Sequence, residues 1–229
     1  LFVTAIIPAA GKGRRFGSEI NKQFLEIDGK PILYYTLHQF EISSLISEII
    51  LVVPETWLTS IPKLLIEKYQ LKKISRVIIG GRERFESVFN GLKAVAPPTD
   101  IVVVHDGVRP LITVQLIEKA IQECQKYDAV ALAVPIKDTV KIVQNGFIQQ
   151  TLDRSLLRAI QTPQVFKFEL LLKAYENRPT VSIPLTDDAT LVEELGIPVK
   201  IVDGDYTNIK ITSPEDLLLA EYLLRMRRK

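Results

Sequence analysis

Short apolar runs separated by amphipathic stretches set the rhythm of this chain. Phe2–Pro8, Glu48–Val53, Arg76–Ile79, Ile101–His105 and Ala129–Val134 are brief, nearly unbroken and rich in Ile and Val, so they predict strands buried on both faces. Helical patterns lie between them. One begins near Pro31, whose missing N–H suits a first turn; others cover roughly Thr56–Tyr69 and Glu83–Ala96. A further helix places Ile117, Ala120, Ile121 and Cys124 on one face at i, i+3, i+4, i+7 spacing. Strands alternating with helices predict an α/β fold with a mainly parallel sheet between helical layers. Ligands of such sheets bind outside the carboxyl ends of the strands. That edge gathers the loops after Ile7, Ile79 and Val104.

The rhythm breaks near Pro135. An alternating run (TVKIV), then Gln144-Asn145-Gly146, then FIQQTL predict a hairpin, because Asn-Gly favours the tight turn that matches strand twist. The insertion spans about 137–158 and is either an edge decoration or an arm reaching another subunit. Helices near Phe168–Glu176 and after Asp187 follow, with strands expected at Val199–Val202 and Ile209–Ile211. Ser213-Pro214-Glu215-Asp216 opens a last helix with an N-cap, a proline at N1 and an acid at N3. No linker or repeat divides residues 1–229, so a single domain is expected.

Composition narrows the class. The chain has 229 residues, 47% hydrophobic and 24% charged, with a formal charge of only +2, which does not suggest a nucleic-acid-binding protein. Cys124 is the sole cysteine, which excludes a disulfide framework and a thiolate metal cluster. The apolar start, LFVTAIIPAA, has no basic region before it and runs into a glycine loop, so it reads as a first strand rather than a targeting signal. No segment approaches the length of a membrane span. A cytoplasmic protein is expected, without membrane or nucleic-acid partners.

Candidate chemistry sits in the loops. After the first strand, Pro8, Ala9, Ala10, Gly11, Gly13 and Gly17 are interleaved with Lys12, Arg14 and Arg15, and Lys22 follows. Glycines let backbone N–H groups close on a ligand, and crowded cations repel one another unless solvated or facing an anion. The spacing is neither G-x-G-x-x-G nor G-x-x-x-x-G-K-[ST]. A polyphosphate site and a structural turn both fit. Gly81, Arg84 and Ser87 could read a base edge or a phosphate near a helix start, or simply shape a corner. Asp106, in His105-Asp106-Gly107-Val108-Arg109-Pro110, reads either as a Mg²⁺ ligand or as a turn residue bonded to Arg109. His105 and His38 read as packed side chains. Thr139, Arg154, Thr162, Thr186 and Lys210 are scattered polar residues that carry no meaning singly; Lys210 alone interrupts an apolar run.

Taken together and in order, the blocks PAAGKGRRFG, NKQFLEIDGKPIL, GGRERFESV, VVVHDGVRP, KDTVK, DRSLLRAIQTPQVF, TDDAT and NIKITSPEDLLLAE resemble the 2-C-methyl-D-erythritol 4-phosphate cytidylyltransferase family over nearly the whole chain. The resemblance implies a three-layer, Rossmann-like nucleotidyltransferase domain that uses CTP and Mg²⁺ and dimerises through a protruding β-arm. It implies catalytic roles for Arg15, Lys22, Arg154 and Lys210. CTP would be bound by Pro8, Ala9, Ala10, Gly11, Gly13, Gly81, Arg84 and Ser87. The acceptor would be bound by Gly107, Arg109, Thr139, Arg154, Thr162, Thr186 and Lys210, with Asp106 associated with the metal. Two departures stand out: Gly107-Val108 replaces a common Ala-Ala, and Arg82 occupies a position often acidic, so Arg82 is left out of the site.

The implied reaction is in-line attack of the acceptor phosphate on the α-phosphorus of CTP, expelling pyrophosphate. An acceptor that is already anionic needs no general base, in keeping with a chain that offers no convincing catalytic histidine. Ribitol 5-phosphate is the alternative acceptor, although PAAGKG favours methylerythritol phosphate. A dinucleotide-dependent oxidoreductase and a non-catalytic nucleotide-binding protein are the rivals of other classes.

Overall fold

The computed structural model describes residues 1–11, 24–177 and 186–227. A seven-stranded sheet forms its centre. In chain order its strands are β1 (Val3–Pro8), β4 (Glu48–Val53), β5 (Ile74–Ile79), β6 (Ile101–Val104), β7 (Ala129–Pro135), β10 (Arg158–Lys167) and β11 (Lys200–Asp203). Two small pairs stand apart: β2 (Glu26–Ile27) with β3 (Lys30–Pro31), and β8 (Lys141–Gln144) with β9 (Phe147–Thr151). The large sheet runs β11-β7-β10-β6-β1-β4-β5. All neighbours in it are parallel except β10, which is antiparallel to both β6 and β7.

Alternation along the strands sorts side chains between two faces. Ala5 and Ile7 of β1 join Leu33, Leu37 and Phe40 of α1 (Ile32–Ile42) on one face. Ile117, Ala120, Ile121 and Cys124 of α4 (Val114–Tyr127) close the same cluster, on the face read from their spacing. Ile6 points the other way, to Val88 and Leu92 of α3 (Arg84–Ala94), Leu171 and Tyr175 of α5 (Phe168–Glu176), and Leu191 and Val192 of α6 (Ala189–Glu194). A third cluster packs Ala220 and Leu224 of α7 (Pro214–Arg227) on Ile32, Val108 and Leu111. Among the described residues no helix is long and apolar enough to cross a membrane.

The sheet explains where ligands can go. After β1 the chain places β4 on one side of it and later returns to place β6 on the other. The carboxyl ends of β1 and β6 therefore flank a switch point, where loops diverge and leave a crevice.

Several expectations need correction. The helix expected over Thr56–Tyr69 is broken into a 3₁₀ turn at Glu55–Trp57, a short α2 (Ser60–Pro62) and a π-helical stretch at Lys63–Lys68. Pro62 has no N–H for an i→i−4 bond, which accounts for the change of winding. Ile209–Ile211 is not a strand: Ile209 N donates to Thr207 O (2.8 Å) and Ile211 N to Val108 O (2.9 Å), so the segment is a loop pinned beside the β6 turn. Strand β10 was hidden by Pro163, which lies at a register shift between Ile160 and Gln164, where the ladder asks nothing of it. The hairpin does form, with Asn145 and Gly146 at φ 50° and 82°, and every residue of both its strands is exposed.

Candidate active site

Three loops meet at the switch point. Ala9 N donates to Val52 O (2.7 Å), Gly80 N to Val53 O (2.9 Å) and Gly107 N to Pro8 O (3.2 Å), which ties the loops after β1, β5 and β6 to one sheet edge. Gly80 is required where it stands, because a Cβ there would lie 2.3 Å from the Ala10 methyl. Pro8, Ala9, Ala10 and Gly11 thus lie beside the other two blocks. Gly13, Arg15 and Lys22 fall outside the described residues.

The β6 turn carries the densest charge. Asp106 accepts from Arg84 Nε at Oδ1 (3.1 Å), and from Arg109 Nε (3.3 Å) and Lys210 Nζ (3.0 Å) at Oδ2. Arg84 is the first residue of α3, Arg109 closes the β6 turn, and Lys210 comes from the loop pinned by Ile211. Burial alone would raise the Asp106 pKa, but Arg84, Lys210 and Arg109 outweigh it and hold the carboxyl well below the usual range. Burial likewise works against the Arg84 charge, and Asp188 and then Asp106 overcome it, so its pKa stands well above the ordinary value.

A cavity of about 210 Å³ opens over this cluster, lined by Arg84, Asp106, Arg109, Thr162, Thr186 and Lys210 together with Ile160, Gln161, Gln164 and Asp187. The first six were singled out from sequence. They come from five separated segments, and the fold brings them within one small volume. Gly107 sits behind them, its N–H held by Pro8 O and its carbonyl accepting from Thr36 Oγ1 (3.0 Å).

Other expected site residues are placed differently. Ser87 Oγ accepts from Gly81 N (3.1 Å) and donates to Glu83 O (3.1 Å), so in this arrangement the pair builds the start of α3, and neither lines the cavity. Thr139 and Arg154 lie on the exposed arm, where Arg154 Nη1 donates to Lys137 O (2.8 Å); they do not line the cavity of their own chain. His105 is packed, as its reading suggested: it is fully buried, and burial pushes its pKa down to about 3.

The donor set bears on the implied metal. Asp106 already has both oxygens engaged by three cations, and among the described residues no group of three or more His, Cys, Asp or Glu could hold an ion. Adding a dication to that cluster would set it against Arg84, Arg109 and Lys210. As arranged, Asp106 is an ion-pair hub and does not fit a direct metal ligand.

Gln164, Asp187 and Asp188 stand in sequence among the scattered polar residues and were given no site role, and neither were Gln161 and Tyr175. Gln164 Oε1 accepts from Asp188 N (3.1 Å) and Ala189 N (2.9 Å), while its Nε2 donates to Asp187 Oδ2 (2.8 Å). Gln161 Nε2 donates to Asp205 O (2.8 Å) and holds the loop that leads to Lys210. Two glutamines in a strand at the middle of a sheet were the available signal, had β10 been recognised as one.

Known proteins resemble this chain over nearly its whole length. The model of the family described as 2-C-methyl-D-erythritol 4-phosphate cytidylyltransferase matches residues 3–226. The enzyme of that name from Alkaliphilus oremlandii is 45% identical over 227 residues, covering 99% of this chain and 96% of its own. Among solved structures, the 4-diphosphocytidyl-2C-methyl-D-erythritol synthase of Anaerococcus prevotii superposes with a TM-score of 0.87 at 37% identity, covering 98% of this chain and 96% of its own. The 2-C-methyl-D-erythritol 4-phosphate cytidylyltransferase of Thermus thermophilus gives 0.78 at 30%, covering 96% and 98% respectively. With a family model matched almost end to end and relatives aligned over nearly their full length, the chain belongs to the 2-C-methyl-D-erythritol 4-phosphate cytidylyltransferase family.

Proposed function

We propose that this chain transfers CMP from CTP to 2-C-methyl-D-erythritol 4-phosphate, releasing pyrophosphate and forming 4-diphosphocytidyl-2-C-methyl-D-erythritol. The observation that carries the reading is the convergence of Arg84, Arg109 and Lys210 on one buried acid beside the β1 loop at the switch point. Two polyanions must be brought together there, and fixed cations overcome their repulsion without reorganising during the reaction.

The acceptor phosphate oxygen attacks the α-phosphorus in line. As that bond forms, the bond from the α-phosphorus to the bridging oxygen of the β-phosphate breaks, and the electron pair leaves with pyrophosphate. No proton needs to be removed from the attacking oxygen, so a buried neutral His105 is no obstacle. Lys210 and Arg109 are assigned to the acceptor phosphate with Gly107, Thr162 and Thr186, and Arg84 to the nucleotide. The loop Pro8–Gly11, with Gly13, holds the triphosphate, Arg15 and Lys22 stabilise charge on the α-phosphoryl oxygens, and Gly81 and Ser87 shape the base side. Mg²⁺ belongs to the proposal as a counter-ion carried on the triphosphate, which is how this ion commonly enters nucleotide sites.

Thr139 and Arg154 are assigned to the site of a second copy, because they are displayed on an exposed arm away from their own cavity. Val143, Phe147, Ile148 and Leu156 are 58%, 73%, 65% and 81% exposed on or beside that arm, an apolar surface suited to a homodimer contact. A cytoplasmic setting goes with this reading, since the lone cysteine, Cys124, is a free thiol.

The test is a pyrophosphate-release assay with CTP, Mg²⁺ and methylerythritol phosphate, run beside ribitol 5-phosphate. Release with the first acceptor and little with the second is expected; the reverse preference sinks the acceptor assignment. Lys22→Ala should lower kcat on the order of 10²–10³, by analogy with the loss of a single transition-state donor.

A further inference from the structure

Arg84 is held from two sides. Its Nε donates to Asp106 Oδ1 at 3.1 Å, and its fork, Nη1 and Nη2, donates to Asp188 Oδ1 and Oδ2 at 3.0 and 2.8 Å. Three of five N–H groups are thus committed within the described residues, and the guanidinium plane is fixed by a bidentate pair. Lysine, a point charge, could not reproduce the bidentate pair with Asp188.

Behind the fork the structure is stiff. Asp188 is 1% exposed, and Tyr175 Oη donates to its Oδ1 at 2.5 Å. The Tyr175 ring stacks on Phe85 at 4.7 Å with planes 10° apart, and on Phe89 at 5.6 Å. The Asp188 backbone N–H is anchored on Gln164 Oε1. Strand β10, helix α5 and the start of α6 therefore converge on one carboxylate whose partner lines the cavity.

Asp188 is not needed where a helix-capping acid would be. Its neighbour Asp187 does that work, accepting from Thr190 N (3.1 Å) and Thr190 Oγ1 (2.7 Å). Burying a carboxylate is costly, and an apolar residue of similar volume would stabilise such a position at least as well. The cost is explained if the acid's task is to aim a side chain.

We infer that Asp188, braced by Tyr175, is a positioning residue that fixes Arg84 for the nucleotide phosphates. Asp188 touches no substrate; it acts through Arg84. The inference rests on the cytidylyl-transfer reading of this site.

The experiment compares Asp188→Asn, Arg84→Lys, Tyr175→Phe and the double variant Asp188→Asn/Arg84→Lys with the unaltered full chain. It measures kcat, KM for CTP and KM for methylerythritol phosphate well below each thermal midpoint. Asp188→Asn and Arg84→Lys should each lower kcat/KM by roughly 10–100-fold, the range typical of lost supporting contacts, with KM for the acceptor unchanged. The double variant should fall within about twofold of the weaker single, because both changes remove one interaction. Tyr175→Phe, which leaves the fork in place, should lose about two- to fivefold and keeps the test open if Asp188→Asn fails to fold. Multiplying losses in the double variant overturn the inference, as does Asp188→Asn, or in its place Tyr175→Phe, at parental activity while Arg84→Lys is impaired. Arg84→Lys at parental activity overturns both the inference and the assignment of Arg84. Absence of turnover in the unaltered chain removes the functional reading, and the inference with it.

Discussion

Acid should destabilise this protein through His105, and the histidine's contacts set the amount. The ring is fully buried, with Nε2 3.3 Å from Arg109 O and Nδ1 3.1 Å from Thr162 Oγ1. Nε2 faces a carbonyl, which can only accept, so the ring hydrogen is assigned to Nε2; Nδ1 then accepts the hydrogen of Thr162 Oγ1, which itself accepts from Asp106 N at 3.1 Å. Both nitrogens are satisfied in the neutral form. A second proton at Nδ1 would expel the threonine hydrogen and put a buried charge near Arg109. Burial, with Arg109 adding to it and Asp106 opposing, lowers the pKa from its ordinary value near 6.5 to about 3.

Because the folded value is the lower one, the unfolded chain binds the extra proton between about pH 6.5 and pH 3, and stability falls with pH across that window. The full loss is about 5 kcal/mol, of which about 3 kcal/mol is incurred on going from about pH 7.5 to 4.5. Set against a total of about 5–15 kcal/mol for an ordinary domain, that is a large share. The check is urea unfolding of the parent and of His105→Gln at both pH values. Gln keeps a donor for Arg109 O and does not titrate, while carboxylate effects common to both proteins cancel in the difference. The parent should lose about 3 kcal/mol more than the variant. Equal losses would refute the reasoning.

Asp106→Asn leaves Arg84, Arg109 and Lys210 around a neutral group; removing one partner of a buried pair costs about 3–5 kcal/mol, so the thermal midpoint should drop and initial rates should fall more than about tenfold. Gly91→Ala should destabilise by about 1–3 kcal/mol in urea unfolding, since the new methyl would lie 2.5 Å from Ile6 Cγ2 and push α3 off β1. If two copies pair through the arm as proposed, the unaltered chain should scatter light as a dimer and Phe147→Ser combined with Ile148→Ser should shift its mass toward monomer at fixed concentration; a mass unchanged by the substitutions would remove the arm from the contact.

Much of the fold was legible because four of the five strands first recognised, β1, β4, β6 and β7, are apolar and buried on both faces; β5, at the sheet edge, was expected to be buried likewise but buries only Ile74. Helix α4 was legible for the complementary reason, a single apolar stripe. What failed were segments whose conformation is imposed from outside. Strand β10 carries Gln161, Pro163 and Gln164, and its middle is polar because it serves the site rather than the core. The stretch around Lys210 is apolar enough for a strand, yet it is a loop, because its task is to bring one ammonium to Asp106. Its apolar flanks instead fill the space under Val108 and α7. Within the site, single cations could be named from sequence, but their mutual arrangement could not. Asp187 and Asp188 are identical in type and adjacent, and only the fold assigns one to a helix start and the other to Arg84.

That division of labour bears on how a site for two anions remains folded without them. Cations clustered with no counter-charge would repel, and the loops carrying them would part. Here Asp106 occupies the centre of the cluster and Asp188 secures Arg84 from behind. The two acids differ in what a substrate could take from them. Lys210 is 36% exposed and pairs with Asp106 through a single ammonium, so an arriving phosphate can compete for it. Arg84 is bound through a fork to an acid that is 1% exposed, and competition for it would break two charged hydrogen bonds at once. Lys210 is therefore the cation expected to follow the acceptor, and Arg84 the one expected to remain fixed while the α-phosphorus changes partners.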